Sequence, residues 1–340
     1  MRIEADSMVR TFRSGSALVG HHEVKALRSV RLAVEPGESL ALIGESGSGK
    51  TTFGRILAGL EIYDKGRLTF DDVDLAKLPG ARRRLQFRRV QLIPQDPYSA
   101  LNPARTIGQS LEAPLRLRAK QTGRPRSWVY ERARSLLDLV GLEPESTLIK
   151  YPHNLSGGGR QRVVIARAMT VDPEVLVADE AVSMIDVSLR MEILTLLNRL
   201  RQEHGVSIMF ITHDVAAARY VSATGSLAVM YRGEVVESGT TDQIIEHPMH
   251  PYTQALLSAM PVLHGIEEPG PDRFFVSTED TEPRPPACLF SPRCPFAQDR
   301  CRTEHPVLEL LDGFPGHDAA CFYPVPRQVT PMEVAASTGA

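Results

Sequence analysis

One tryptophan in 340 residues, four cysteines and no apolar run near the ~18 residues a bilayer-spanning helix needs: these scarcities bound the chain first. No segment is expected to cross a membrane, and Met1 to Glu4 read as the start of a strand rather than of a signal peptide. The expected location is the cytoplasm, with any membrane role running through a partner. Excess charge of one sign is also missing. Lys and Arg total 39 against 41 Asp and Glu, a formal charge of −2, so no bulk attraction draws the chain to nucleic acid. A local basic run, Arg82, Arg83, Arg84, Arg88 and Arg89, reads as a solvated helix face. There is no internal repeat and no low-complexity tract. All four cysteines, Cys288, Cys294, Cys301 and Cys321, lie in the last sixth of the chain, and a reducing compartment argues against disulfides between them.

Glycine is concentrated where it has chemical meaning. Residues 44 to 51, G-E-S-G-S-G-K-T, form a complete G-x-x-x-x-G-K-[ST] phosphate loop. Backbone N–H groups from Gly44, Glu45, Ser46, Gly47, Ser48 and Gly49 through to Thr52 are expected to wrap a phosphate, with the following helix N-terminus adding its dipole. Glycines allow that close approach where a Cβ would clash. Lys50 is suited to the β- and γ-phosphates and the Thr51 hydroxyl to Mg²⁺. The flanks agree: 38 to 43 (E-S-L-A-L-I) reads as a buried strand and F-G-R-I-L-A-G-L as a helix. The chain is expected to bind a nucleoside triphosphate.

Short aliphatic runs at Val90–Ile93, Val175–Ala178, Ser207–Ile211 and Leu227–Met230 alternate with helical patterns, the signature of an α/β fold with a mostly parallel sheet. Leu189, Ile193, Leu196, Leu197 and Leu200 recur at helical spacing between Ile185 and His204. From about 97 to 165 the alternation breaks into proline-interrupted turns (Pro97, Pro103, Pro114, Pro125) and helices, read as a helical insertion. After Pro261 proline and glycine accumulate, which reads as a linker into a small cysteine-bearing tail.

Four more elements accompany the phosphate loop. V-L-V-A-D-E at 175 to 180 ends a strand in Asp179, suited to Mg²⁺, and Glu180, suited to polarising a water. Y-P-H-N-L-S-G-G-G-R-Q-R at 151 to 162 opens a helix with a second anion-binding N-terminus, which one triphosphate on one chain does not need but a head-to-tail pair would. I-P-Q-D-P carries Gln95 and F-I-T-H-D carries His213, each after a strand. In this order, with Asp186 following, the motifs over about residues 1 to 260 resemble the ATP-binding cassette (ABC) ATPases. The resemblance implies a P-loop nucleotide-binding domain: a RecA-like core, a helical subdomain at about 97–165 and an N-terminal antiparallel β part. It also implies two ATPs sandwiched in a head-to-tail dimer. By it, Glu180 acts on the hydrolytic water and His213 contacts the γ-phosphate. Gln95 reports nucleotide state to a membrane partner and, with Thr51 and Asp179, serves Mg²⁺. Ser156, Gly157 and Gly158 close the partner's site, and Asp186 crosses the interface. Phe12 is a candidate to stack on adenine, a core role being the alternative.

H-P-Y-T-Q-A-L-L-S-A-M-P at 250 to 261, then C-L-F-S-P-R-C-P-F-A with Cys301, His317 and Cys321, resemble the tail of oligopeptide, dipeptide and nickel importer ATPases, as does Q-D-P-Y-S-A-L-N-P at 95 to 103. The implied partners are two permeases, a second homologous ATPase and an extracytoplasmic binding protein, at the cytoplasmic face of the membrane and without nucleic acid. The expected extension spans 261–330 and a flexible tail 331–340. The cysteines leave three readings: a [4Fe–4S] cluster, which the resemblance favours, structural zinc, which the loose C-x₅-C and C-x₆-C spacings disfavour, or reduced semi-buried thiols. Two departures stand out. Gly159 replaces the glutamine usual after L-S-G-G, and Ala181–Asp186 differs from the usual P-T-S-A-L-D. The first implies a weakened partner site and hence an asymmetric heterodimer. Rival readings are a regulatory cassette that binds ATP but hardly hydrolyses it, and a soluble ABC ATPase acting on DNA or ribosomes.

Overall fold

The computed structural model describes residues 1–14, 22–258, 283 and 286–326. The expected linker after Pro261 falls almost wholly outside the described residues, and the tail at 331–340 wholly so. Strands β1 (Ile3–Ser14) and β2 (His22–Val34) pair antiparallel. The chain then forms β3 (Ser39–Ile43) and α1 (Lys50–Leu57). It returns to β1 through β4 (Lys65–Phe70) and the short β5 (Val73–Asp74), completing a four-stranded antiparallel sheet in the order β2-β1-β4-β5.

The helix α2 (Gly80–Phe87) leads into β6 (Val90–Ile93). Five helices follow: α3 (Pro97–Ala100), α4 (Ile107–Thr122), α5 (Arg126–Leu139), α6 (Pro144–Leu148) and α7 (Gly157–Ala168). The chain re-enters the sheet as β7 (Val175–Asp179) and alternates through α8 (Val187–His204), β8 (Ser207–Thr212), α9 (Val215–Val221) and β9 (Ser226–Tyr231). It turns back antiparallel in β10 (Glu234–Thr240), then forms α10 (Thr241–Glu246) and α11 (Pro251–Ser258). The last described segment holds α12 (Asp299–Thr303), β11 (Glu309–Leu310) and β12 (Asp318–Ala319). The large sheet has eight strands in the order β11-β12-β10-β9-β3-β8-β7-β6, and β9 through β6 are parallel neighbours.

β3, β7 and β8 are buried along their whole length, as expected of apolar runs covered on both faces. Alternation decides which face each residue serves. Val177, Met209 and Ile211 pack with α1 and the antiparallel sheet, whereas Leu176, Ala178, Ile208 and Phe210 pack against α7 and α8. The C-terminal segment is part of this body: β12 pairs with β10, and Leu289 and Phe290 share a cluster with Ile43, Tyr231 and Tyr252.

Two expectations need correcting. Pro114 does not interrupt a helix but lies inside α4. A capping box between Thr106 and Gln109 secures the start of that helix, and buried Leu111, Leu115 and Ala119 hold it by packing that outweighs the lost hydrogen bond. The basic run is not uniformly solvated either. Arg82, Arg83 and Arg84 are exposed, but Arg89 forks onto Glu174 at 2.6 and 2.9 Å and reaches Asp71 at 2.5 Å, tying the starts of β6 and β7 to the antiparallel sheet. Among the described residues no helix is long and apolar enough to cross a membrane.

Candidate nucleotide site

The parallel strands end at one edge, and each sheds a polar residue there, as ligand sites in open α/β sheets do. β3 runs into the phosphate loop, which closes around its own lysine. Lys50 Nζ donates to Gly44 O at 2.7 Å, Glu45 O at 2.8 Å and Ser48 Oγ at 3.3 Å. Burial lowers the lysine's pKa, opposed by Glu180, Asp179 and Glu45. The loop lies tight on its surroundings: a Cβ on Gly44 would stand 2.1 Å from Met230 O, and one on Gly49 2.3 Å from Ala26 O. Gly233 N donates to Ser48 O at 2.8 Å, anchoring the loop to the β9–β10 turn. Ser46 and Gly47 face solvent, and Thr52 is half-buried in α1.

Asp179, at the end of β7, accepts from Thr51 Oγ1 at 3.0 Å. Burial raises its pKa, the bond from Thr51 opposes this, and nearby Glu180 adds to it. The next residue, Glu180, sits at φ +47°, a left-handed conformation unusual for a residue with a side chain, and is pinned by its N–H to Ile211 O at 2.9 Å. Its carboxylate accepts from Gln95 Nε2 at 2.8 Å and lies 3.2 Å from His213 Nδ1. The ends of β3, β6, β7 and β8 thus bring Lys50, Thr51, Gln95, Asp179, Glu180 and His213 to one edge of the sheet.

The remaining sequence-identified residues take other contacts. Ser156 caps α7, its hydroxyl accepting from Gly159 N at 3.1 Å, and buried Gly158 lies against Leu189 of α8. Gly157 is half-buried beside it. Asp186 is exposed at the start of α8 and makes no side-chain cap. Phe12 is 36% exposed on β1, with the Arg10 guanidinium 4.6 Å above its ring.

Residues 27–183 match the model of the ABC transporter family, and 236–301 that of the oligopeptide/dipeptide transporter C-terminal region. The chain is 41% identical over 301 residues to the dipeptide transport ATP-binding protein DppF of Escherichia coli K12, covering 88% of this chain and 87% of that one. It is 40% identical over 295 residues to the di/tripeptide transport ATP-binding protein DppF of Pseudomonas aeruginosa UCBPP-PA14, covering 86% and 89%. The chain belongs to the ABC transporter family. Its fold matches solved cassettes of that family. One is a dimeric bacterial ABC transporter cassette, MJ0796 (28% identity, TM-score 0.60, covering 70% of this chain and 98% of that one). Another is the same cassette bound to ADP and Pi after hydrolysis (26% identity, TM-score 0.58, 70% and 98%). This ABC protein is an ATPase that uses ATP and Mg²⁺. Thr51 and Asp179 suit the ion, being two hard oxygen donors already in mutual contact.

The four cysteines of this ABC chain line a single cavity of about 20 Å³, together with His250, Phe290 and Phe322. Burial pushes the Cys288 and Cys321 thiols up to about 11. Among the described residues no group of three or more His, Cys, Asp or Glu is arranged to hold a metal ion. The donor set matches a cluster in kind and number; its arrangement as described does not. Sequence reasoning missed two contacts on Glu45: Tyr252 and Arg293 reach it from 207 and 248 residues away. Both lie in stretches singled out as the importer-type tail, but nothing local says what they touch.

Proposed function

We propose that this chain is the ATP-hydrolysing subunit of an importer for dipeptides or oligopeptides, working at the cytoplasmic face of a membrane. Its partners are two permeases, a second homologous ATPase and an extracytoplasmic binding protein. The observation that carries the reading is Glu180, held between Gln95 and His213 at the edge that also presents Lys50, Thr51 and Asp179. Lys50 meets the β- and γ-phosphates, which supply the partner its buried ammonium otherwise finds only in loop oxygens. Thr51 and Asp179, with Gln95 nearby, would hold Mg²⁺, which would supply neutralising charge at those phosphates. Glu180 orients the attacking water and accepts its proton, while His213 contacts the γ-phosphate. Gln95, hydrogen-bonded to Glu180, couples this step to the permeases. Ser156, Gly157, Gly158 and Asp186 act across a head-to-tail dimer, and Phe12 stacks on adenine.

Names of relatives at 40–41% identity support the peptide class of cargo. Gly159 supports a heterodimer, since the helix start it loosens serves the neighbouring chain. A cluster at Cys288, Cys294, Cys301 and Cys321 rests on the donor set alone, and iron and sulfide analysis of anaerobically purified protein tests it.

Glu180→Gln keeps the size and the Gln95 contact but removes the base, so hydrolysis should fall about 10²–10⁴-fold while ATP binding persists. Single-turnover hydrolysis that survives this change would remove Glu180 from its role. A wild-type chain that binds ATP yet completes no single turnover would make the cassette regulatory. Gentle solubilisation of native membranes should co-purify the permeases and second ATPase; ribosomal or DNA-bound partners instead would overturn the importer reading.

A further inference from the structure

Glu45 is the second residue of the phosphate loop, and all three of its polar groups are occupied. Its carbonyl oxygen accepts from Lys50 Nζ. Its N–H donates to Tyr252 Oη at 2.8 Å. Its carboxylate receives Arg293 Nη1 and Nη2, each at 2.9 Å, a two-pronged fork rather than a single contact. Arg293 is itself oriented. Its guanidinium carbon lies 5.8 Å from the Tyr231 ring centre and 5.7 Å from that of Phe290. The rings of Tyr231, Tyr252 and Phe290 pack within 4.6–5.5 Å of one another. The backbone beneath is a tight turn in which Arg293 N and Cys294 N both donate to Phe290 O at 3.0 Å. A guanidinium seated on aromatic faces and forked onto a carboxylate transmits direction as well as charge.

We infer that Arg293 is a positioning residue for the phosphate loop, so that the C-terminal segment forms part of the ATP site. The inference rests on the ATPase reading above. Arg293 does not touch nucleotide; it fixes the carboxylate of Glu45, whose carbonyl helps place Lys50 and whose neighbours Ser46 and Gly47 are the solvent-facing part of the loop. Loss of the fork frees the loop before ATP binds, so part of the binding energy must then go into ordering it. The cost therefore falls on affinity. The turnover of bound ATP, carried by Glu180, stays nearly intact.

The test uses the full-length chain, with Kd for Mg·ATP measured by equilibrium dialysis and KM and kcat for hydrolysis measured separately. Arg293→Ala should raise Kd and KM about tenfold, the size of a lost charge-assisted pair, with kcat nearly unchanged. Arg293→Lys keeps the charge without the fork and should fall between. Glu45→Gln should match Arg293→Ala, and the double variant should be no worse than either single one, because the two act through one contact. A purely structural role would lower Tm but leave Kd and KM of the folded protein unchanged, or give additive losses; either result overturns the inference. If Arg293→Ala fails to fold, the same rise in Kd and KM is read from Arg293→Lys and Glu45→Gln, and its absence there overturns the inference equally. Wild-type protein that binds no Mg·ATP would sink the ATPase reading and this inference with it. Normal wild-type binding with unchanged variants would sink this inference alone.

Discussion

Gly47 and Gly49 belong to one motif, yet they answer to different constraints. Gly47 has φ +80° with nothing within 4 Å of where its Cβ would go, whereas Gly49 has φ +105° and its Cβ would strike Ala26 O at 2.3 Å. Gly47→Ala should therefore cost only its backbone conformation, about 1–2 kcal/mol. Gly49→Ala adds a clash with fixed backbone and should cost on the order of 3–4 kcal/mol. Calorimetric melting without nucleotide separates the two, and equal losses would refute this account. Glu180 shows the converse: a side chain at φ +47° is kept where glycine would be easier, which fits strain retained at the carboxylate proposed to act on water. The motif picks out the loop expected to meet phosphate. It did not tell which glycine is pressed by neighbours, because Ala26 and Met230 arrive from other strands.

Among the elements, α7 combines a strong start with a weak one. Ser156 caps it, but Gly159 stands at the position where a glutamine would reach back to the Ser156 N–H and complete a capping box. A Cβ there would lie 3.2 Å from the Ser156 hydroxyl and 3.5 Å from Leu155 Cβ, both side-chain atoms. Gly159→Gln should stabilise the protein by about 0.5–1 kcal/mol, a Tm rise of about 1–4 °C. In the assembled dimer it should raise hydrolysis at the partner's site. A lower Tm would show that Leu155 and Ser156 cannot give way. α4 teaches the same lesson in reverse: Pro114 reads as a breaker, and only the packing of Leu111, Leu115 and Ala119 shows the helix running through it.

Across the whole molecule, the C-terminal segment, β10 and the start of α11 meet around His250. This ring is 2% exposed, its Nδ1 accepts from Tyr252 N at 3.0 Å, and burial lowers its pKa to about 3. Nearby Glu237 accepts from the N–H groups of Met249 and His250 and contacts His317. Below the unfolded value of ~6.5 the unfolded chain binds a proton that the folded chain refuses. Stability is therefore complete above that pH and declines as pH falls from ~6.5 toward 3, by up to ~1.4 kcal/mol per pH unit. Melting temperatures between pH 7 and 5 should show this slope. His250→Asn, which keeps an acceptor for Tyr252 N–H, should flatten it relative to wild type, and an unchanged slope would assign the effect to other groups.

The family's motifs and the core strands were legible in the sequence alone, because both depend on short-range pattern. A phosphate loop is eight consecutive residues, and a strand buried on both faces is a continuous apolar run, so β3, β6, β7, β8 and β9 appear within a residue or two of their expected bounds. The order of motifs was enough to name the family. Contacts between distant segments were left to the tertiary structure. The convergence of Gln95 and His213 on one carboxylate, the joining of the C-terminal strands to β10, and the grip of Arg293 and Tyr252 on Glu45 depend on which strand ends and turns become neighbours in space. Packing of the whole chain decides that adjacency, and no local run of residues encodes it.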